Sequence, residues 1–240
     1  MRRAATVVVA VLAAMAAAGA RAGDIRFGTG FSPGDLSTMV DVVSDAVVFP
    51  NLGPAEPTGL VGFEVLAAAG GPRADTGSHW WKNGVSGDTT LGVLNGSRII
   101  VRKGLPLRFD VGVQSGEVLG QRFWGVEGRW ALLEGGVVSP ALALRASHSW
   151  LDGPLDLKVD EAQLVLSKGF AMLTPYAAVG YRRGEGRATI GDLETRRYTV
   201  TESRATAAVG VRLGLPVFRV VAELRRGAET GYFIGVGVGL

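Results

Sequence analysis

The sequence predicts an all-β fold, an antiparallel up-and-down transmembrane β-barrel of about ten strands preceded by a signal peptide and a short N-terminal helix. Three observations predict it. The chain closes on Tyr232-Phe233-Ile234-Gly235-Val236-Gly237-Val238-Gly239-Leu240, in which every second residue is large and apolar and the others are mostly glycine, a strand with one greasy face. Apolar residues keep a period of two from Thr58 to the end. The first 22 residues have the three regions of an exported precursor. An exported sheet with an apolar outer face tolerates lipid only when it closes on itself, because hydrocarbon offers no partner to edge backbone groups.

In the leader, Arg2 and Arg3 precede an apolar run from Ala4 to Ala18, and Ala20-Arg21-Ala22 supplies the cleavage site, so the mature chain is expected to begin at Gly23. The run is shorter than the ~20 residues of a membrane-spanning helix. Of 25 basic residues the leader holds three, leaving 22 against 22 acidic residues, so the basic isoelectric point belongs to the leader and nucleic acid is not an expected partner. With no cysteine, stability must come from backbone pairing and packing rather than disulfides. Glycine makes up 36 of 240 residues, about twice the usual ~7 per cent. It lies inside the alternating segments, where it frees volume in a crowded, curved sheet.

Residues 23–57 form an N-terminal segment. Ser32-Pro33-Gly34-Asp35 is a helix start with serine as cap, proline in the first turn and aspartate three residues on. A helix over about 35–48 follows, with Leu36, Met39, Val40, Val43 and Val47 on one stripe and Ser37, Asp41, Ser44 and Asp45 off it, ended by Pro50. This helix is expected to cap or partly plug the periplasmic mouth, and to be dispensable for assembly.

The barrel domain, 58–240, divides into strands over 58–70, 93–103, 106–117, 121–134, 138–151, 155–168, 173–186, 197–213, 217–227 and 230–240. Short and longer links tend to alternate, the longest being 71–92, as when periplasmic turns face extracellular loops. An even strand number leaves both ends of the barrel on the periplasmic side. One face of the alternation carries Val61, Phe63, Val65, Phe109, Val111, Val113, Trp124, Val126, Trp130, Leu132, Leu142, Leu144, Ala146, Leu164, Leu166, Val209, Val211, Leu213, Phe218, Val220, Leu224, Ile234, Val236 and Val238. It is assigned to lipid. The other carries Gln114, Gln163 and the proposed lumen charge network of Glu64, Arg108, Asp110, Glu127, Arg129, Arg145, Glu161, Arg182, Glu202, Arg204, Arg212, Arg219, Glu223 and Arg225. A soluble sandwich would reverse the two faces, but the aromatic residues argue for membrane. Trp124, Trp150, Tyr181, Tyr198 and Tyr232 fall near one set of strand ends and Trp130, Tyr176, Phe109 and Phe218 near the other, as two interfacial girdles.

On these features the chain resembles the small outer-membrane β-barrel proteins of Gram-negative bacteria, over about 58–240 plus the leader. Pro54-Ala55-Glu56-Pro57-Thr58-Gly59-Leu60-Val61-Gly62-Phe63 and Arg102-Lys103-Gly104-Leu105-Pro106-Leu107-Arg108-Phe109-Asp110-Val111-Gly112 are similar to stretches of uncharacterised members. The resemblance implies fold and compartment, the bacterial outer membrane, with its lipid and its barrel-assembly machinery as partners. Members usually end in phenylalanine, where this chain has Leu240.

No catalytic, cofactor or metal site is expected. His79 and His148 are the only histidines, and within Ser147-His148-Ser149 a strand would turn histidine and serines to opposite faces, unlike the serine-histidine pairs of outer-membrane deacylases. Ser78-His79-Trp80-Trp81-Lys82 reads as a loop anchor at the membrane surface or an exposed patch. The expected function is a monomeric, non-enzymatic barrel, structural or a narrow passive conduit, with two surplus arginines favouring anions. A transporter of hydrophobic small molecules and a lipid-modifying enzyme are the alternatives.

Overall fold

In the computed structural model, which describes residues 23–86, 92–136, 138–190 and 196–239, period-two alternation becomes a closed sheet. The expected leader at 1–22 and the terminal Leu240 lie outside the described residues. In chain order come β1 (Asp24–Ile25), α1 (Pro33–Val47), β2 (Phe63–Pro72), α2 (His79–Gly84), β3 (Val85–Ser86), β4 (Gly96–Leu105), β5 (Phe109–Val118), β6 (Gln121–Glu134), β7 (Ala141–Leu151), β8 (Leu155–Ser167), β9 (Leu173–Ile190), β10 (Arg196–Gly214), β11 (Phe218–Arg226) and β12 (Thr230–Gly239). β2 and β4 to β12 form ten antiparallel strands, each paired with its neighbours, and β12 closes on β2 with Val236 opposite Ala67. No edge is left open. β1 and β3 make a separate two-stranded sheet.

Alternate residues then sort to two surfaces. Val111, Val113, Trp124, Val126, Trp130, Leu144, Leu164, Leu166, Val209, Leu224 and Ile234 are exposed on the outside. On β9 this apolar wall runs from Leu173 through Ala177 and Val179 to Tyr181, after which Arg183 and Arg187 face outward. That height matches the ~9–11 residues that a tilted strand needs to cross hydrocarbon. Trp124 and Trp150 stack at 4.3 Å beside His148 at the upper border. Two girdle assignments need correction: Tyr176 is buried with its hydroxyl on Glu223, and Tyr198 packs against the inner apolar cluster. Each lies one residue out of phase with the outward row of its strand, and phase rather than height decides the face.

The two mouths differ. At one, the turn mouth, β2 begins and β12 ends, and short links such as Pro106–Arg108 join the strands. The other, the loop mouth, holds the long link between β2 and β4, with α2 and β3. Trp80 and Trp81 of that link do not reach a membrane surface. They fold inward and are buried with Leu36, Val43, Leu119 and Leu151.

Arginine at Val111, between Phe109 and Val113 in the apolar row of β5, should cost about 2–4 kcal/mol if placed near the bilayer midplane. Urea unfolding in lipid vesicles, followed by heat-modifiable migration, checks this. An unchanged midpoint would mean that the apolar wall does not face lipid.

Candidate functional site: the filled lumen

Helix α1 forms where the sequence placed it. Ser32 Oγ accepts the Asp35 amide at 3.2 Å while Asp35 Oδ2 accepts the Ser32 amide at 2.9 Å, a reciprocal cap. The expected place, as a cap or partial plug at the mouth where the strands begin and end, needs correction. The helix lies inside the barrel at the loop mouth, with Leu36, Met39, Val40, Val43 and Val47 all fully buried. Glycines make the room: a Cβ on Gly184 would come within 2.2 Å of Ser44 Oγ, and one on Gly186 within 2.1 Å of Val40 Cγ2. The polar side of the helix meets strand arginines. Asp41 Oδ1 accepts from Arg182 at 2.6 Å and its Oδ2 from Arg204 at 2.6 Å, Asp45 lies 3.2 Å from Arg182 Nε, and Ser37 donates to Glu202.

Below the helix, residues 48–57 continue without secondary structure down the centre of the barrel. An unpaired chain in a closed interior has no ladder to satisfy its carbonyls. The wall supplies the donors. Arg98 donates to the carbonyls of Ala46 at 2.5 Å and Val48 at 2.9 Å, and Gln114 to that of Val47 at 3.1 Å, so that a cation sits at the carbonyl end of α1. Arg145 donates to Phe49 O at 2.6 Å and Pro50 O at 3.4 Å. Arg102 donates to Asn51 O at 2.7 Å and Leu52 O at 3.1 Å. Arg129 donates to Pro54 O at 2.7 Å and to the Asn51 side chain at 2.8 Å, and Asn51 Nδ2 in turn donates to Gly53 O at 2.7 Å. Every carbonyl from Ala46 to Pro54 is thus occupied. Amides of the same stretch use wall acceptors: Leu52, held at a positive φ of 39°, donates to Glu223 at 2.9 Å, and Ala55 donates to Ser167 Oγ at 2.9 Å.

Two of these arginines, Arg102 and Arg145, are also paired along the wall. Glu127 receives Arg102 Nε at 2.5 Å and Arg145 Nε at 2.6 Å, Glu64 receives Arg102 Nη1 at 3.0 Å, and Glu161 pairs with Arg225. Asp110 accepts the Thr58 amide at 3.1 Å. Arg212 lies 3.6 Å from Glu64, and Arg219 bonds rim carbonyls at the turn mouth. Arg108 is a correction: at φ 63° in the turn before β5 it swings outward to Glu134 at 2.7 Å, both about half exposed. Arg98 and Arg102 were missed by the sequence reading. Their signal was available, since Ile99, Val101 and Lys103 alternate with them and face out. Asp41 and Asp45 were read only as polar positions off the apolar stripe of the helix, with no partner assigned, and Phe49 beneath Arg145, 5.4 Å from ring to cation, carried no signal at all.

His148 and Ser147 do lie on opposite faces of β7, the histidine outside on Asp160 and the serine inside. At the loop mouth, His79 Nδ1 lies 2.9 Å from Asp35. Burial works to raise the Asp35 carboxyl, but hydrogen bonds from Ser32 and the contact with His79 outweigh it and hold it below the usual carboxylate range.

A closed, even-numbered antiparallel barrel with an apolar belt and a polar interior is the architecture of a transmembrane β-barrel. This chain has that architecture. No family model matches it, and no curated protein matches its sequence. Among solved structures it is similar to the N-terminal β-barrel domain of OprF from Pseudomonas aeruginosa, at 11% identity over 76% of this chain and 99% of that one with a TM-score of 0.37. It is also similar to Ail, the attachment invasion locus protein of Yersinia pestis, at 10% identity over 75% and 98% with a TM-score of 0.37. A third is Neisserial surface protein A, at 13% identity over 74% and 96% with a TM-score of 0.32.

Two predictions follow from the lumen. Glutamine at Glu127 removes the charge and one of the two oxygens that serve the buried Arg102 and Arg145 and should cost about 3–5 kcal/mol, whereas alanine at the exposed Arg108 should cost about 0–1 kcal/mol. Urea midpoints of the two variants in vesicles test the contrast. Because the Asp35 pKa is depressed, its contribution to the cap is present at neutral pH and lost as pH falls through its folded value, below ~4. Fluorescence of the neighbouring Trp80 and Trp81 should show that acid step, and Asp35→Asn should abolish it.

Proposed function

We propose that the protein is a sealed, non-enzymatic barrel of the bacterial outer membrane with a structural rather than a conducting role. The observation that carries this is the chain inside: α1 and residues 48–57 fill the lumen from one mouth to the other, and the wall arginines are committed to their carbonyls. A narrow anion conduit would need those arginines free for passing ions. The cationic excess on the strands is met instead by Asp41 and Asp45 of the helix. An oily transport route finds no support either, since the axis is lined by ion pairs. A serine-histidine hydrolase would need His148 on the inner face of β7.

We orient the barrel with the turn mouth toward the periplasm and the loop mouth outward, because β2 begins and β12 ends at the first, while the second bears the long α2-containing link and the ends of β9 and β10 that run on past the apolar wall. In planar bilayers the intact protein should give no channel events, with insertion verified by heat-modifiable migration of the recovered protein. Gly186→Leu, which crowds Val40 and loosens α1 in the loop mouth while residues 48–57 stay gripped, should admit ion flow in the fraction that still migrates as a closed barrel. Steady conductance from the intact chain would overturn the sealed reading.

A further inference from the structure

The lumen contents have a direction. Asp24–Ile25 pairs with Val85–Ser86 in the long link at the loop mouth. Asp45 accepts the amide of Ala228 at 2.7 Å in the turn between β11 and β12, which lies at that same mouth. Val48 then reaches Arg98, Leu52 reaches Arg102, Ala55 reaches Ser167 at the lower end of β8, and Thr58 reaches Asp110 near the start of β5. Gly62 bonds Gly104 at the turn mouth, and β2 begins. The chain therefore enters the barrel at the loop mouth, traverses it once, and leaves at the turn mouth to become the first strand of its own wall.

The grip on this traverse is mostly on backbone. Arg98, Arg102, Arg129 and Arg145 bind carbonyl oxygens, which every residue offers, and Asn51 is the one side chain of residues 48–54 that takes a wall hydrogen bond among the described residues. The apolar side chains of the segment are seated as well, Phe49 and Leu52 packing among Leu66, Ile100, Tyr176, Val221 and Phe233, so the channel is fitted to this segment. Once β12 has paired with β2, the traverse is enclosed.

We propose that the barrel carries its own N-terminal segment outward through its lumen and displays residues 23–31 on the cell surface, beside the long link that holds α2 and β3. This rests on the orientation given above. Residues 48–57 act as the strap, the reciprocal cap at Ser32–Asp35 and the aspartates of α1 hold the helix in the outer mouth, and the displayed stretch Arg26 to Gly30 is largely exposed. The function assigned is presentation of a peptide segment, with the barrel as both its conduit and its anchor.

The absence of cysteine allows a direct test with single substitutions in intact cells, probed by a membrane-impermeant maleimide. Thr29→Cys in the displayed segment and Thr76→Cys in the long link should both label, whereas Leu107→Cys in the turn before β5 should label only after the outer membrane is permeabilised. Labelling at Thr76 without labelling at Thr29 overturns the display and leaves the orientation standing. Labelling at Leu107 without Thr76 overturns the orientation, and the outward display with it. Threading is read separately from a Ser44→Cys, Gly184→Cys pair, whose Cβ atoms would lie 3.2 Å apart, close to the ~3.5–4.5 Å of a disulfide. A cross-link on a non-reducing gel places α1 inside the barrel. Its absence, in protein that still migrates as a closed barrel, places α1 outside and overturns the threading.

Discussion

The fold depends on the hydrogen bonds between wall arginines and the carbonyls of the enclosed chain. Each side needs the other. Residues 48–57 cross a closed interior without a strand partner, and an unpaired buried carbonyl costs about 1–3 kcal/mol. The strands project more arginine than acid into the same space, and a buried cation without a partner is worse still. An arginine fork answers both demands, because one guanidinium can bond a carboxylate along the wall and a carbonyl on the axis at once. Arg102 and Arg145 do so with Glu127 between them.

This mutual requirement changes the standing of the N-terminal segment. A helix resting on a mouth could be removed and leave the barrel whole. Here its removal would strand Arg182 without Asp41, and four arginines without their carbonyl acceptors. The segment belongs to the core, despite lying outside the sheet in sequence. Glycine shows the same coupling from the wall side, for Gly184 and Gly186 interrupt β9 where Ser44 and Val40 press against it.

The outside obeys a simpler rule. Lipid asks only for apolar side chains and for no open backbone, and the closed pairing with Val, Leu and aromatic residues on outward positions satisfies both. Inside and outside are therefore built on different physics from one alternating sequence. The outer face is governed by composition and the inner face by partner geometry.

That difference explains what could be read from the chain alone. Period two located all ten wall strands to within a few residues, and the capping residues located α1, because both signals are local and written in side chains. Arg108 escaped the alternation because a left-handed backbone at Leu107 and Arg108 breaks strand phase in the turn. Arg98 and Arg102 were legible in phase and overlooked. The path of residues 48–57 was not legible at all: their principal contacts are made by carbonyl oxygens, which are the same for every residue, and the donors lie some 50 to 96 positions away along the chain. By itself the sequence determined a closed barrel with one face for lipid and one for charge. Only the tertiary structure decided that the charged face closes on the chain's own N-terminal segment, because only folding brings those arginines and those carbonyls into reach.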